Sequence, residues 1–345
     1  MIIDKNIEKN IIKLQKFLHS FLLKKSKEFK NISPWSKDIE EKLMDFIISG
    51  KMMRGSLVML SANKIDQDTL KVAAAIEILH SAFLIHDDIM DEDIHRRGQY
   101  SICYKYFKDL SLSAPNGKHY GISQAISLGD ICIFFAFLLI SSLSVKNKDK
   151  LQAFFMNEMV RVGFGQMEDM SISFSDKEPT LSEIFSVYVS KTARYSISVP
   201  VVLGMYLNGE DTKIIKNAIN VGENLGVLFQ MKDDELGIFG KIEITGKGVM
   251  KDVNKNKKTI LRYLLLEAVD RNEKKEIFNI FGHEDLSKEQ VLILLNLFEK
   301  YDIKEKHQDL ANQYMQKGKK LYKTLPNKYQ SIFEFVQKYN EKRLK

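Results

Sequence analysis

Apolar residues recur three and four positions apart along most of this chain. Ile11, Leu14, Phe17, Leu18, Phe21 and Leu22 form the first such stripe, and that spacing gathers residues on one face of an α-helix. No run alternates convincingly with the period of a strand. Of the five prolines, Pro34, Pro115, Pro179 and Pro326 stand in evident breaks (NISPWS, SAPNG, KEPT, TLPNK). Pro200 alone falls inside a helical pattern, where its missing N–H predicts a kink. Residues 180–183 and 287–290 read as capping boxes at helix starts. No repeat or low-complexity linker divides the chain. The pattern therefore predicts a nearly all-α fold, packed as one domain over residues 1–345.

Predicted helices cover 68–96, 122–144, 148–170, 181–205 and 211–239, and amphipathic helices without evident chemistry fill 260–345 as scaffold. Within the first of these, residues 77–98 read EILHSAFLIHDDIMDEDIHRRG. Asp87 and Asp91 are four apart and so lie side by side on one helix face, roughly 5–6 Å between Cβ atoms, where like charges repel. Ending an apolar stripe on such a pair is costly unless a cation joins them. Oxygen-only ligands suit a hard ion such as Mg²⁺, which keeps waters and bridges to phosphates. Arg96 and Arg97, just beyond, offer fork-shaped donors for a phosphate. Standing alone, such a motif also reads as a solvated acidic helix end; the other segments take it further.

Bulk composition narrows the classes. Hydrophobic residues make up 44% of the 345 and charged residues 28%, an ordinary globular balance. The net charge of +7 favours anionic ligands, but no basic stripe with interleaved aromatics suggests nucleic acid. Cys103 and Cys132 give neither a metal spacing nor a framework of bridges, as expected of reduced thiols in a cytoplasmic protein. The start, MIIDKNIEKN, lacks a secretory pattern, and the longest apolar run, 131–140, is too short for a membrane span.

Four further segments carry chemistry. Gly50-Lys51-Met52-Met53-Arg54 opens an apolar helix, and cations at a helix start make a plausible phosphate grip. His80 lies two turns before Asp87 on one face. Lys191 and Thr192 precede the Pro200 break. A second acidic pair, Asp233 and Asp234, follows Gln230 in FQMKDDELG, and a Gly- and Lys-rich loop with Lys247 and Lys257 comes after it.

Taken together, GKMMRG, LIHDDIMDEDIHRRG, KTA, FQMKDD and the later Lys-rich loop resemble the trans-isoprenyl diphosphate synthases, of the short-chain type, over roughly residues 50–259. The resemblance implies an all-helical bundle around a deep central cavity, usually homodimeric, with the two aspartate motifs facing across its mouth. It implies that Asp87, Asp88, Asp91, Asp233 and Asp234 hold Mg²⁺ ions on an allylic diphosphate. Arg96, Lys191, Lys247 and Lys257 would grip that diphosphate. Gly50, Lys51, Arg54, His80 and Arg97 would bind isopentenyl diphosphate, and Thr192 and Gln230 would line the reaction path. The implied chemistry is head-to-tail condensation of the two diphosphates through an allylic carbocation.

The chain departs from the family pattern in three places. Gly55 replaces the proline of GKxxRP, which leaves the charge unaltered. Asn256 stands for a glycine in the Lys-rich loop. Gly237 stands where the second motif usually has its third Asp, with Glu235 or Asp252 as the carboxylates that could compensate through water. Product length is read along the first-motif helix, over Phe83, Leu79 and Ile76, where one turn of about 5.4 Å approximates one isoprene unit. Phe83 argues for early narrowing and Ala82 for room, and the balance points to farnesyl or geranylgeranyl diphosphate. Two other readings remain open, a non-catalytic subunit of a heteromeric synthase and a class I terpene cyclase.

Overall fold

The computed structural model describes residues 2–109, 114–240, 250–283 and 286–342. The chain divides into two compact units, Met1–Ala153 with Pro200–Glu210, and Phe154–Val199 with Asp211–Lys345. Both are helical, as the apolar spacing predicts.

The first unit holds α1 (Ile2–Phe29), α2 (Trp35–Ile48), α3 (Met53–Ser61), α4 (Gln67–Met90), α5 (Ile102–Asp109) and α6 (Ala114–Ser141). Leu14, Leu18 and Leu22 of the first stripe are buried. Helix α4 starts at Asp66, whose carboxylate accepts the Thr69 N–H at 3.0 Å, the usual satisfaction of an orphan donor. Every residue from 72 to 79 is buried, so this half of α4 is a core helix on all sides. From His80 onward one face opens, and His80, Phe83, Leu84, Asp87 and Asp91 are partly exposed along it. Gly129 of α6 makes room for the His86 ring of α4: a Cβ there would stand 2.1 Å from His86 Nε2.

The predicted helix over 68–96 stops early, at Met90. The Asp93 N–H folds back onto the Asp88 carbonyl at 2.7 Å, and Glu92 takes a positive φ of 52°. Strands β1 (His95–Arg96) and β2 (Gln99–Tyr100) then pair antiparallel. Arg97 and Gly98, with φ of 54° and 75°, form their two-residue turn, whose twist suits a hairpin. Arg-Arg-Gly is thus a hairpin turn, and these short strands are the exception to the all-helical expectation. Their effect is to swing Arg96 back toward the carboxylates of α4.

Two helical segments, Gln67–Met90 and Asn116–Ser141, are long and apolar enough to cross a membrane, longer than the run at 131–140 suggested. The first is two-thirds buried within the fold, which a core helix also satisfies.

The second unit holds most of α7 (Lys148–Phe174), then α8 (Leu181–Val187), a π-helix over Tyr188–Ser198, α10 (Thr212–Phe239), α11 (Lys251–Asn254) and α12 (Ile260–Ala268); α9 (Val199–Asn208) carries the chain back into the first unit. Both predicted capping boxes are formed, at Thr180 with Glu183 and at Ser287 with Gln290. The break expected at Pro200 lies upstream of it instead. Proline lacks the N–H and crowds the carbonyl four residues back, and the residues before it widen into i→i+5 bonding, a pattern found mostly at functional sites. Lys191 and Thr192 lie on this widened segment.

Beyond α12, helices Arg271–Ile280, Lys288–Lys300, Ile303–Tyr322 and Asn327–Lys342 follow. Leu261, Leu265, Ile277, Leu294 and Ile303 close a core with Ile238 of α10.

Glycines set how close α7 and α10 come to the π-helix. A Cβ on Gly165 would stand 2.5 Å from the Lys191 amide nitrogen, and one on Gly226 would stand 2.4 Å from Ala193 Cα. Backbone cannot retreat as a side-chain tip can, so Gly226→Ala overpacks this contact. The variant should lose about 1–3 kcal/mol of stability by urea unfolding; an unchanged midpoint would show that the contact is not tight.

Candidate active site

In the first unit, the open face of α4 ends in the first aspartate motif. Asp87 and Asp91 are partly exposed, whereas Asp88 is only 1% exposed. The hairpin aims Arg96 at this cluster. Its Nε donates to Asp88 Oδ1 at 2.6 Å, and its terminal nitrogen lies against Asp88, 3.4 Å from Asp93 Oδ2 and 3.5 Å from Asp87 Oδ2. Burial pushes the Asp88 carboxyl up to about 6, Arg96 pulls the other way, and Asp93 and Asp87 add to the rise. Asp88 Oδ2 is buried without a hydrogen-bond partner. The Arg96 guanidinium thus lies near all three of these carboxylates, and one buried Asp88 oxygen still accepts no hydrogen bond.

A second constellation surrounds the start of α3. Met52 takes a left-handed conformation just before it, with φ of 45°. A Cβ on Gly50 would stand 2.8 Å from an Arg97 guanidinium nitrogen. That arginine donates to the Phe46 carbonyl at 2.8 Å and lies over the Phe46 ring at 5.6 Å. Burial first, and then the charges of Arg54, Arg97 and Arg96, hold the His80 imidazole well below its usual pKa and therefore neutral. Gly50, Arg54, His80 and Arg97 are thus brought together as expected, while Lys51 is exposed.

Glu77, absent from the sequence expectations, anchors this group. Only 5% exposed, it accepts the Gly55 N–H at 2.7 Å. Burial raises its pKa, while the Gly55 amide, Arg54 and Arg97 favour its charged form. Replacing the family's proline with Gly55 is therefore not neutral, because proline has no N–H to donate. A buried glutamate among apolar residues was the signal available, since such groups are almost never buried unpaired.

In the second unit, Lys191 Nζ donates to Asp169 Oδ2 at 2.6 Å, and Lys257 Nζ lies 3.9 Å from the same oxygen. Asp169 thus gathers two of the expected diphosphate cations. Its only sequence signal was an acidic pair following the glycines in GFGQMEDM. Gln230 Nε2 donates to Asp234 Oδ1 at 2.8 Å, and the Tyr188 hydroxyl donates to Asp234 Oδ2. Asp234 is 3% exposed, and both its oxygens are engaged, one within α10 by Gln230 and one by Tyr188 of the π-helix. Burial, with Asp252 next, raises its pKa well above the usual range. Asp233, by contrast, is partly exposed, as is Thr192. Lys247 lies outside the described residues.

Among the described residues, no group of three or more His, Cys, Asp or Glu side chains is set to hold a metal ion unaided. The donors at Asp87, Asp88 and Asp91 nevertheless fit a hard cation. They are oxygens only, one is buried and unsatisfied, and an ion such as Mg²⁺ takes one or two carboxylates plus substrate phosphates rather than a full protein cage.

The family model for polyprenyl synthetase matches residues 36–298. Geranylgeranyl diphosphate synthase of Saccharolobus solfataricus is 30% identical over 275 residues, covering 77% of this chain and 79% of that protein. Farnesyl diphosphate synthase of Micrococcus luteus is 32% identical over 231 residues, 64% of this chain and 72% of that one. In fold, the chain is similar to geranylgeranyl pyrophosphate synthase of Corynebacterium glutamicum complexed with isoprenyl diphosphate and magnesium, with a TM-score of 0.90 at 23% identity over 98% of this chain and 99% of that one. The chain belongs to the polyprenyl synthetase family.

Proposed function

We propose that this protein is a trans-prenyltransferase that joins isopentenyl diphosphate head-to-tail to an allylic diphosphate, making a short-chain product such as farnesyl or geranylgeranyl diphosphate. One observation carries the reading. The first unit holds two sets of different chemistry, a carboxylate cluster at Asp87, Asp88 and Asp91 suited to a divalent cation and the diphosphate it carries, and a set of Arg54 and Arg97 with neutral His80. Two diphosphates, only one of which ionises, call for that division. A terpene cyclase, with one diphosphate, has no use for the arginine set.

The allylic diphosphate belongs with the carboxylates. Mg²⁺, held by Asp87, Asp88 and Asp91, would neutralise the departing diphosphate; in the second unit Asp233 is the accessible carboxylate of its motif, whereas Asp234 is committed to Gln230 and Tyr188. Arg96, and in the second unit Lys191 and Lys257, would add positive charge to the leaving group, the role the family pattern also gives Lys247. Thr192 and Gln230 line the path of the cation that forms. Isopentenyl diphosphate belongs with Gly50, Lys51, Arg54, His80 and Arg97. A neutral His80 can donate to a phosphate oxygen without being titrated by its arginine neighbours. Leu79, Ala82 and Phe83 measure the apolar tail: Ala82 and Leu79 are buried, and Phe83 stands on the open face one turn from Asp87. The proton lost after coupling passes to the released diphosphate.

Each unit also leaves an apolar stripe uncovered. Phe134 and Leu138 of α6 are 63% and 44% exposed, and Val160, Phe164 and Met167 of α7 are 58%, 66% and 69% exposed. Such surface favours association, and we infer a homodimer working in the cytoplasm, with the whole chain serving as a single catalytic domain.

The purified chain supplied with Mg²⁺, isopentenyl diphosphate and an allylic primer should elongate that primer unaided; activity that appears only on adding another protein would point to a subunit instead. Asp87→Ala should lower turnover by orders of magnitude without altering the circular dichroism spectrum, and persistent activity would remove the carboxylates from the chemistry. Phe83→Ala should shift the products toward longer chains by chromatography, an unchanged distribution sinking the ruler. The raised pKa of Asp88 also sets a sign for stability. Between the ordinary carboxylate pKa and about 6, the native state holds a proton that the unfolded state has lost, so this group's contribution to stability falls as pH rises through that window. In metal-free buffer, Asp88→Asn should flatten the fall relative to the parent, as read by unfolding at pH 4.5 and 7; parallel curves would contradict the shift.

A further inference from the structure

We propose that Asp252 supplies the third carboxylate of the second aspartate motif, taking the place that Gly237 leaves without a side chain. The inference rests on the prenyltransferase reading and assigns a residue to it.

Residue 237 lies four positions after Asp233 on α10, on the same helix face. That is where a third aspartate would stand beside the first. In this chain the position is occupied from elsewhere. A Cβ built on Gly237 would lie 2.3 Å from Asp252 Oδ2 and 2.9 Å from its Cγ. The carboxylate of Asp252 therefore fills the space a side chain at 237 would need, and the two cannot coexist without rearrangement. Absence of a side chain at 237 is what admits Asp252 to the face that carries Asp233.

The placement is held from several sides. Asp252 lies on α11, whose Met250 and Val253 neighbours are buried at 1% and 0% exposure. Its carbonyl accepts the Lys257 N–H at 2.8 Å, and the Val253 carbonyl accepts the Gly282 N–H at 2.9 Å. Lys257, one of the expected diphosphate cations, is thereby tied to the same turn. The negative charge of Asp252 also reaches Asp234, where it is the largest cause of a raised pKa after burial.

Glu235, the other candidate for compensation, is excluded by its surroundings. It is 7% exposed and bonded to buried Lys232 at 2.9 Å. It also stands close enough to buried His307 to influence that group's proton affinity. Its carboxylate is already neutralised within the core. Asp252 and Asp233 are both partly exposed and so remain accessible to an ion from solvent.

This geometry reverses the expectation for restoring the missing residue. Gly237→Asp alone adds a side chain onto the Asp252 carboxylate, a steric and like-charge conflict, and should lower stability without strengthening metal binding. The carboxylate has to be moved rather than added.

The decisive measurement is Mg²⁺-dependent thermal stabilisation of the full-length protein in the presence of inorganic pyrophosphate, which reads binding without turnover. Asp252→Asn, nearly isosteric, should raise the Mg²⁺ concentration at half-maximal stabilisation by about tenfold or more, the usual cost of losing a residue that supports a metal site. Its melting temperature without Mg²⁺ should stay close to that of the parent. The relocated pair, Gly237→Asp with Asp252→Ala, should recover most of the affinity lost by Asp252→Ala alone. An Asp252→Asn midpoint equal to the parent's would overturn the proposal, as would a relocated pair no better than Asp252→Ala. Asp233→Ala and Asp87→Ala separate this failure from a failure of the function: if they abolish the Mg²⁺ effect while Asp252→Asn spares it, only the role of Asp252 falls. If none of the variants changes it, the metal–diphosphate reading falls as well.

Discussion

Charge confined at the ends of buried helices governs this molecule. Helix α4 is buried on every side over residues 72–79 and then ends in three aspartates. Taking carboxylates out of water costs several kcal/mol each unless they are paired. The chain meets that cost in part only. Arg96 lies near Asp87, Asp88 and Asp93, yet an Asp88 oxygen remains buried without a hydrogen bond. Full compensation would give a stable ion-pair network with no affinity left for a ligand. That unsatisfied oxygen is what makes the cluster receptive to a divalent cation and its diphosphate.

Backbone geometry delivers the partial compensation. Had α4 continued to Arg96, as its apolar period suggested, the Cα of Arg96 would have stood about 12 Å beyond that of Asp88 along the helix. The positive φ at Glu92, Arg97 and Gly98 instead folds the segment into a hairpin that returns Arg96 to Asp88. The π-helix at Tyr188–Ser198 does comparable work in the second unit. It lies against Gly165 and Gly226 and presents Lys191 to Asp169. In both places local irregularity sets the direction of a charged side chain, and regular helices supply the rigid support.

The helices, the capping boxes and the two acidic pairs were legible in the sequence because each depends on residues within a turn or two of one another. Legibility fails where the partner is distant. Asp169 meets Lys191 across 22 positions, and Glu77 meets the Gly55 amide across the same separation. Nothing local to Asp169 marks it off from the neighbouring Glu168. The hairpin was missed for a different reason: two residues per strand are too few to display a period of two, and Arg-Arg-Gly serves a helix stop as well as a turn. Asp234 looked equivalent to Asp233, but Tyr188, 46 positions earlier, claims it for structure.

The two glycine departures from the family pattern behave alike, which local reading could not have shown. At Gly55 the exposed amide receives the Glu77 carboxylate, whose Cγ would lie 3.1 Å from a Cβ there. At Gly237 the open space receives the Asp252 carboxylate. In each case a residue with a side chain is replaced by one without, and an acid from another helix moves into contact with the vacated backbone. Glycine at these positions is therefore a means of importing negative charge. At Gly55 the imported charge faces Arg54 and Arg97, which stabilise it and are oriented by it. At Gly237 it faces Asp234, which does not. The first imported carboxylate thus sits among arginines and the second beside a like charge, the surroundings that favour a divalent cation.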